Sequence, residues 1–329
     1  ETERALELAR TAVRVDPHNG RCHLKVGAAL GRLGDSEGAL DATRRGVDLD
    51  PGNAEARFDL AVRLFQLGQH EEAMEAANRA AELGWPKAQW ARGDILKATG
   101  KLAEALDAFD QATRDTPREP QPWAAMAWTL FDLGRFDKAR DAAAEAIRLT
   151  KGPHKLRPPG WAHNAAAAAL LELGKPAESR RAAEKAIAVE PENGEAWSRK
   201  ALALHRLGKP REAVTALNEA IAREPDNAMY FHNKALILFN NLGEREEGAL
   251  AMKRSFEIRL ESDPDNAMLH VQLGTVFNDL GESEEALACY KRALELKPGF
   301  ADAHYNTGNV YLGRKSFEKA AAAFDAALR

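Results

Sequence analysis

The amino-acid sequence predicts an all-α solenoid made of tandem helix–turn–helix repeats, and three features support this. A glycine recurs at intervals of 34, 32, 34, 40, 34, 35 and 38 residues, and a period of this length is typical of stacked helical repeats. A small residue follows each glycine after five positions, with another seven positions further on. A proline closes most repeats. The recurring glycines are Gly34, Gly68, Gly100, Gly134, Gly174, Gly208, Gly243 and Gly281.

Each repeat is predicted to contain two helices. Apolar residues with helical spacing precede the glycine, as in 58–67, and follow it, as in 286–294. The glycine ends the first helix because it adopts the left-handed conformation at little cost, and the proline ends the second. We expect one array over residues 1–329, cut from a longer protein. It begins with the second helix of a partial repeat (1–19), followed by repeats that start near residues 20, 54, 86, 120, 160, 194, 228, 267 and 301.

These repeats resemble the tetratricopeptide repeat over essentially the whole chain. The agreement is clearest in "AMLHVQLGTVFNDLGESEEALACYKRALELKP" at 267–298 and "DAHYNTGNVY" at 302–311. The resemblance implies a right-handed superhelical solenoid whose first helices line a concave groove. It also implies a non-enzymatic scaffold that binds a peptide or helical segment of a partner protein in that groove.

The resemblance further implies which side chains line the groove. In the family these are chiefly the second, fifth, sixth, ninth, twelfth and thirteenth residues of each repeat, here called the groove positions. We expect the aromatic residues at these positions to bury apolar side chains, and the polar ones to bind backbone or acidic groups. The candidates are Phe58, Phe65, Trp90, Trp128, Phe131, Trp161, Arg199, His205, Arg206, His232, Asn233, Asn240, Asn306 and Asn309.

The sequence contains no motif that indicates catalysis. It lacks a phosphate-binding glycine loop and a zinc-protease motif, and its two cysteines are too few for a zinc site. Four histidines occupy one column of the repeats, the fourth position, which in the family packs between helices and which Arg57, Trp123, Trp197 and Phe231 also occupy. We therefore predict no enzyme activity, no cofactor and no metal. The family's carboxylate clamp for chaperone C-termini is not expected either, because no repeat has lysine at its fifth position, and Asn309, which has the ninth-position amide, is accompanied there by Tyr305. The four histidines are His23, His163, His270 and His304.

Charge and length leave several alternatives open. Residues 151–211 carry twelve Lys and Arg against six Asp and Glu, which would suit a nucleic acid, although the net charge of −4 opposes this. The array would alternatively be the regulatory or substrate-recruiting arm of a larger enzyme, for example a glycosyltransferase-type protein, or would self-associate through uncapped ends. The proline-rich insertion at 150–160 would serve binding or bend the solenoid. No apolar run is long enough to span a membrane, and we expect a cytoplasmic location.

Overall fold

The computed structural model describes residues 2–150 and 160–329, so most of the proline-rich insertion lies outside the described residues. Every regular element in the described part is helical, with nineteen α-helices and one π-helical turn at Leu238–Leu242. The α-helices are α1 (Thr2–Val15), α2 (Gly20–Arg32), α3 (Ser36–Leu49), α4 (Ala54–Gln66), α5 (His70–Glu82), α6 (Ala88–Ala98), α7 (Leu102–Asp115), α8 (Pro120–Asp132), α9 (Phe136–Leu149), α10 (Gly160–Glu172), α11 (Pro176–Val189), α12 (Gly194–Arg206), α13 (Pro210–Arg223), α14 (Ala228–Ile237), α15 (Arg245–Ser262), α16 (Ala267–Asp279), α17 (Ser283–Leu296), α18 (Ala301–Gly313) and α19 (Phe317–Ala327).

The helices pack in sequential pairs within two compact units, the N-terminal unit Glu1–Leu173 and the C-terminal unit Gly174–Arg329. In the N-terminal unit the pairs are α2 with α3, α4 with α5, α6 with α7 and α8 with α9. In the C-terminal unit they are α12 with α13, α14 with α15, α16 with α17 and α18 with α19. The predicted all-α architecture of tandem helix pairs is therefore confirmed.

Successive first helices also contact one another. In the N-terminal unit α4, α6, α8 and α10 do so in turn, and in the C-terminal unit α16 contacts α18. In the described part of the chain, no comparable contact joins successive second helices. In the N-terminal unit, α4, α6, α8 and α10 therefore form a layer of their own, which carries the groove positions of these repeats.

The glycine between the two helices of a repeat takes the predicted left-handed conformation. All eight recurring glycines have φ between 69° and 85°, a region that costs a residue with a Cβ about 1–2 kcal/mol. The last repeat departs from this rule, because Lys315 occupies the left-handed position with φ 59°.

The turn between repeats has a recurring sequence, an acidic residue followed by proline, any residue and asparagine. The Asn53 side-chain oxygen accepts a hydrogen bond from the Ala56 N–H at 3.0 Å, while its amide donates to the Asp50 carboxylate at 3.2 Å. Asn193 and Asn266 make the same pair of contacts. One asparagine thus caps the new helix and binds the residue that ends the old one.

The fourth residue of several repeats secures the same turn. Its ring N–H donates to the carbonyl oxygen of the proline six residues earlier, at 2.9–3.0 Å. A carbonyl oxygen only accepts, so the histidine Nε2 is the donor. This contact engages three of the four histidines grouped in the sequence and occurs at His23, Trp197, His270 and His304.

Small residues allow the two helices of a repeat to approach each other. A Cβ on Gly93 of α6 would collide with the ring of Phe109 on α7, which is fully buried. Gly274 of α16 faces Tyr290 of α17 in the same way, at 2.6 Å from an added Cβ. In both units, an aromatic ring on the second helix therefore fills the space that a glycine on the first helix leaves open.

Two irregularities lengthen the repeats of the C-terminal unit. The single extra residue in "FNNLG" widens the last turn of the first helix into the π-helical turn at Leu238–Leu242, and Gly243 then ends it with φ 69°. The extra residue is thus absorbed in a helical bulge, which is a common way to accommodate one residue. The second helix of that repeat, α15, extends to 18 residues. No described helix is both long and apolar enough to cross a membrane.

Candidate functional site

Three of the predicted aromatic residues of the N-terminal unit meet in one cavity. Phe58 and Phe65 of α4 and Trp90 of α6 line a space of about 100 Å³. We call it the aromatic pocket. Its lining residues are Phe58, Ala61, Val62, Phe65, Trp90, Ala91, Asp94 and Ile95.

Helical spacing explains how these side chains converge. Phe58 and Phe65 are seven residues apart on α4, and Trp90 and Asp94 are four apart on α6, so each pair shares one face of its helix. Ala61 and Ala91 are buried between the helices, and their small side chains allow the helices to pack closely. The four groups that point into the pocket are therefore fixed by the packing of two first helices.

Neighbouring rings restrain the walls of the pocket. The Phe58 ring centroid lies 6.2 Å from that of Trp85, and the Phe65 centroid lies 5.7 Å from that of His70. Both distances are typical of stabilising contacts between rings. Each phenylalanine is thus supported from behind by a residue outside the pocket.

Asp94 is the polar member of the pocket, and its charge is poorly compensated. Within residues 2–150 and 160–329 its carboxylate has no hydrogen bond and no ion pair. Lys97, the cation that acts on Asp94, pairs instead with Asp132 of α8 at 3.1 Å and lies 6.0 Å from the ring centroid of Trp128. Burial raises the pKa of Asp94 to about 7, and Lys97 offsets this only in part.

The other predicted aromatic residues of this unit lie on α8 and α10 and pack more fully. Trp128 meets Phe131 edge to face at 5.9 Å between ring centroids, and Phe131 lies 5.4 Å from Phe136. Trp161 packs against a buried alanine cluster of α8, α9 and α10. All three predicted residues remain partly accessible, but the aromatic pocket does not include them.

In the C-terminal unit the predicted polar residues are spread along several helices. Arg199 pairs with Glu195 at 3.0 Å on α12, whereas Arg206 is exposed. The His205 ring lies 2.9 Å from the Asn241 side-chain oxygen in the π-helical turn. The sequence analysis did not identify Asn241, because the inserted residue changes which asparagine faces α12.

The remaining predicted residues lie on α14, the π-helical turn and α18. His232, Asn233 and Asn306 are partly buried, while Asn240 and Asn309 are exposed. Asn240 borders an open cleft of about 740 Å³ together with Arg245 and Asp279. The structure therefore does not bring these polar residues together into one cluster.

Five apolar residues at groove positions were missed by the sequence analysis. Each is from 41% to 59% exposed. We call them the exposed apolar residues of the C-terminal unit. They occupy groove positions, but the sequence alone does not show whether a methionine, leucine or tyrosine at such a position is buried or exposed. They are Met229 and Leu236 on α14, Met268 on α16, and Tyr305 and Leu312 on α18.

Groups suited to metal binding or thiol chemistry are sparse in the described residues. There, no three His, Cys, Asp or Glu side chains are grouped so as to hold a metal ion. Cys22 and Cys289 are both free thiols. Burial, assisted by Glu285, raises the pKa of Cys289 to about 11, which keeps this thiol protonated and weakly nucleophilic near neutral pH.

Family models match nearly the whole length of the chain. The tetratricopeptide repeat model matches residues 1–54, 24–88, 90–154, 164–228 and 201–267, and a second model, described as a TPR repeat, matches residues 274–315. The chain belongs to the tetratricopeptide repeat family. Proteins of this family are generally non-catalytic scaffolds for protein–protein interaction.

Solved structures of IFIT1 share the fold of this chain at low sequence identity. The human IFIT1 dimer with m7Gppp-AAAA has 18% sequence identity and a TM-score of 0.51, covering 93% of this chain and 76% of its own. A monomeric IFIT1 mutant with m7Gppp-AAAA has 16% identity and the same TM-score, covering 93% of this chain and 77% of its own. MamA has 22% identity, covers 49% of this chain and 92% of its own, and has a TM-score of 0.38. No curated protein matches the chain.

Proposed function

We propose that this chain is a non-enzymatic scaffold whose first helices bind a peptide or helical segment of a partner protein. The observation that carries the proposal is the set of exposed apolar residues of the C-terminal unit. Met229, Leu236 and Met268 are 59%, 41% and 46% exposed at groove positions of α14 and α16. Large apolar side chains left accessible to water are typical of interaction sites when they recur on one surface.

The chemistry of these residues suits a partner segment with apolar side chains. Covering apolar surface contributes about 25 cal/mol per Å², and methionine adapts its shape to different partners. Exposed amides such as Asn240 and Asn309 alternate with the apolar residues. Such amides are suited to hydrogen bonding with a partner's backbone.

The aromatic pocket supports the same function in the N-terminal unit. It offers three aromatic side chains at one cavity, and aromatic residues are enriched among those that dominate binding energy. Trp128 on α8 and Trp161 on α10 remain proposed contacts of the partner. The recruiting arm of a larger enzyme would use the same surfaces, and the complete reading frame tests that alternative.

A protein partner is favoured over a nucleic acid. IFIT1 is named in its structures with m7Gppp-AAAA, but several basic residues at 175–211 are paired within the C-terminal unit. Arg199 lies 3.0 Å from Glu195, and Lys209 lies 2.7 Å from Glu212. Nucleic-acid binding would weaken steeply with added salt, whereas binding through apolar residues would change little.

Two leucines of one repeat provide a matched experiment. Leu236 on the first helix and Leu250 on the second are 41% and 50% exposed, so serine at either position should leave the fold intact. Proteins captured by the wild type, Leu236→Ser and Leu250→Ser would be compared by quantitative mass spectrometry, with helicity checked by circular dichroism. We expect Leu236→Ser to lose partners that Leu250→Ser retains. Identical capture by both folded variants would show that the first helices are the wrong surface.

A further inference from the structure

The aromatic pocket has the size of a site for a single side chain. Its volume of about 100 Å³ lies below the roughly 300–1,000 Å³ of typical small-molecule sites. Its walls come from Phe58, Phe65 and Trp90, and Ala61 and Ala91 are buried beneath them. An occupant must therefore be slender and make most of its contacts with apolar surface.

The polar group at this pocket is acidic and lacks a partner among the described residues. Lys97 is held 3.1 Å from Asp132, on the neighbouring first helix, and so does not neutralise Asp94. An ionised carboxylate in a partly desolvated site is unfavourable until a cation approaches it. The faces of aromatic rings attract cations as well, and they do so more strongly when water is excluded.

We propose that the aromatic pocket binds a lysine side chain of the partner segment, with its alkyl stem against the three rings and its ammonium group on the Asp94 carboxylate. This assignment rests on the proposed function and names the partner chemistry that the N-terminal unit recognises. Lysine fits because its stem packs on apolar surface while its head stays charged. Its compact ammonium also needs only one carboxylate, whereas the wide guanidinium of arginine favours two-point contacts.

The experiment selects peptides that bind the chain. It then removes the lysine charge from the peptide or the Asp94 charge from the protein. A displayed library of random 12-residue peptides is selected on the wild-type chain. The best binder is then synthesised with its lysine retained, replaced by norleucine, or replaced by arginine. Fluorescence anisotropy measures each Kd on the wild type, on Asp94→Asn and on Asp48→Asn. Asp48 is exposed on the second helix α3 and matches the change in charge.

Binding of a lysine side chain in the aromatic pocket predicts a specific pattern of affinities. Norleucine weakens binding to the wild type and to Asp48→Asn by about tenfold or more, as expected for a charge-assisted contact. On Asp94→Asn the lysine and norleucine peptides bind within about twofold of each other. The arginine peptide falls below the lysine peptide on the wild type.

Two results overturn the assignment and separate it from the proposed function. The assignment of lysine to the aromatic pocket is wrong if the selected peptides bind but contain no lysine. It is also wrong if norleucine weakens binding by the same factor on wild type and on Asp94→Asn. In both cases the scaffold function stands. If no peptide is selected above a bare-surface control and Leu236→Ser retains every captured partner, both the scaffold function and the pocket fail.

Discussion

The groove positions of the two units differ in chemistry and in accessibility. On α4 and α6 of the N-terminal unit, aromatic rings close a small pocket around one carboxylate. On α14, α16 and α18 of the C-terminal unit, methionine, leucine and tyrosine side chains stand exposed. The same repeat thus presents a shaped cavity in one unit and an adaptable surface in the other. We expect the first to select one side chain, and the second to contribute affinity with less selectivity.

The largest expected effect tests whether each unit loses stability independently of the other when a buried ring is removed. Phe109→Ala and Tyr290→Ala each remove a ring that is at most 1% exposed. Each should lower the free energy of unfolding by about 3–5 kcal/mol, because both leave a cavity. Denaturant titration measures the loss, and hydrogen exchange locates it. We expect faster exchange around α6–α8 for Phe109→Ala and around α16–α18 for Tyr290→Ala. Equal loss of protection in both units for either variant would contradict their separation.

A second prediction contrasts the binding contributions of the two surfaces. Trp90→Ala should weaken binding of a selected peptide by about 2–4 kcal/mol, because a tryptophan in a shaped pocket is typical of an energetic hot spot. Leu236→Ala should cost less, about 1–2 kcal/mol, because this side chain lies on an open surface and not in a shaped pocket. Isothermal titration calorimetry measures both, with Leu250→Ala as the control. A larger loss for Leu236→Ala than for Trp90→Ala would reverse the comparison.

The third prediction concerns the pH dependence that Asp94 gives to the N-terminal unit. Burial raises its pKa to about 7 from 3.8, so between these values the folded chain holds a proton that the unfolded chain releases. The free energy of unfolding therefore falls as pH rises through this window. Asp94→Asn removes the effect, and its stability relative to wild type should rise by about 1–3 kcal/mol from about pH 5 to pH 8. Chemical denaturation at both pH values measures the difference, with Asp48→Asn as the control. A difference that does not change with pH would show that Asp94 is well solvated.

The smallest prediction concerns the end of the C-terminal unit. Lys315→Gly should stabilise α18 and α19 by about 1 kcal/mol, because Lys315 holds φ 59° where glycine carries little strain. Gly281→Ala, at φ 79°, should destabilise α16 and α17 by a similar amount. Thermal unfolding and hydrogen exchange follow both. If Lys315→Gly leaves protection of α19 unchanged, fraying rather than backbone strain limits this end of the unit.

Most of the fold was predictable because the signals that define it are local. Each recurring glycine has the positive φ that its place between two apolar helical stripes requires. The π-helical turn at Leu238–Leu242 was not foreseen, since one extra residue is equally compatible with a loop or a widened helix. The choice between them depends on contacts such as that of His205 with Asn241, which join residues 36 positions apart.

The candidate site was predictable only in part. The groove positions of the repeat identified Phe58, Phe65 and Trp90, and the structure places these residues in one pocket. It also covered Asp94, yet the importance of that carboxylate depends on Lys97 turning to Asp132 in the next repeat. Such a choice between two acidic partners is set by tertiary packing and leaves no mark in a single sequence.

The hydrogen bond from the fourth residue of a repeat to a proline carbonyl has a consequence for how repeats diverge. Histidine and tryptophan differ greatly in volume, yet both present a ring N–H to the proline carbonyl at 2.9–3.0 Å. The two residues can therefore serve as the same donor at this place, whereas Phe231, the fourth residue of the repeat that starts at 228, has no ring N–H to donate. Repeats sorted by the size of this side chain would place histidine and tryptophan apart, whereas repeats sorted by the presence of the ring donor group those that can fix the turn and separate them from a repeat such as that of Phe231.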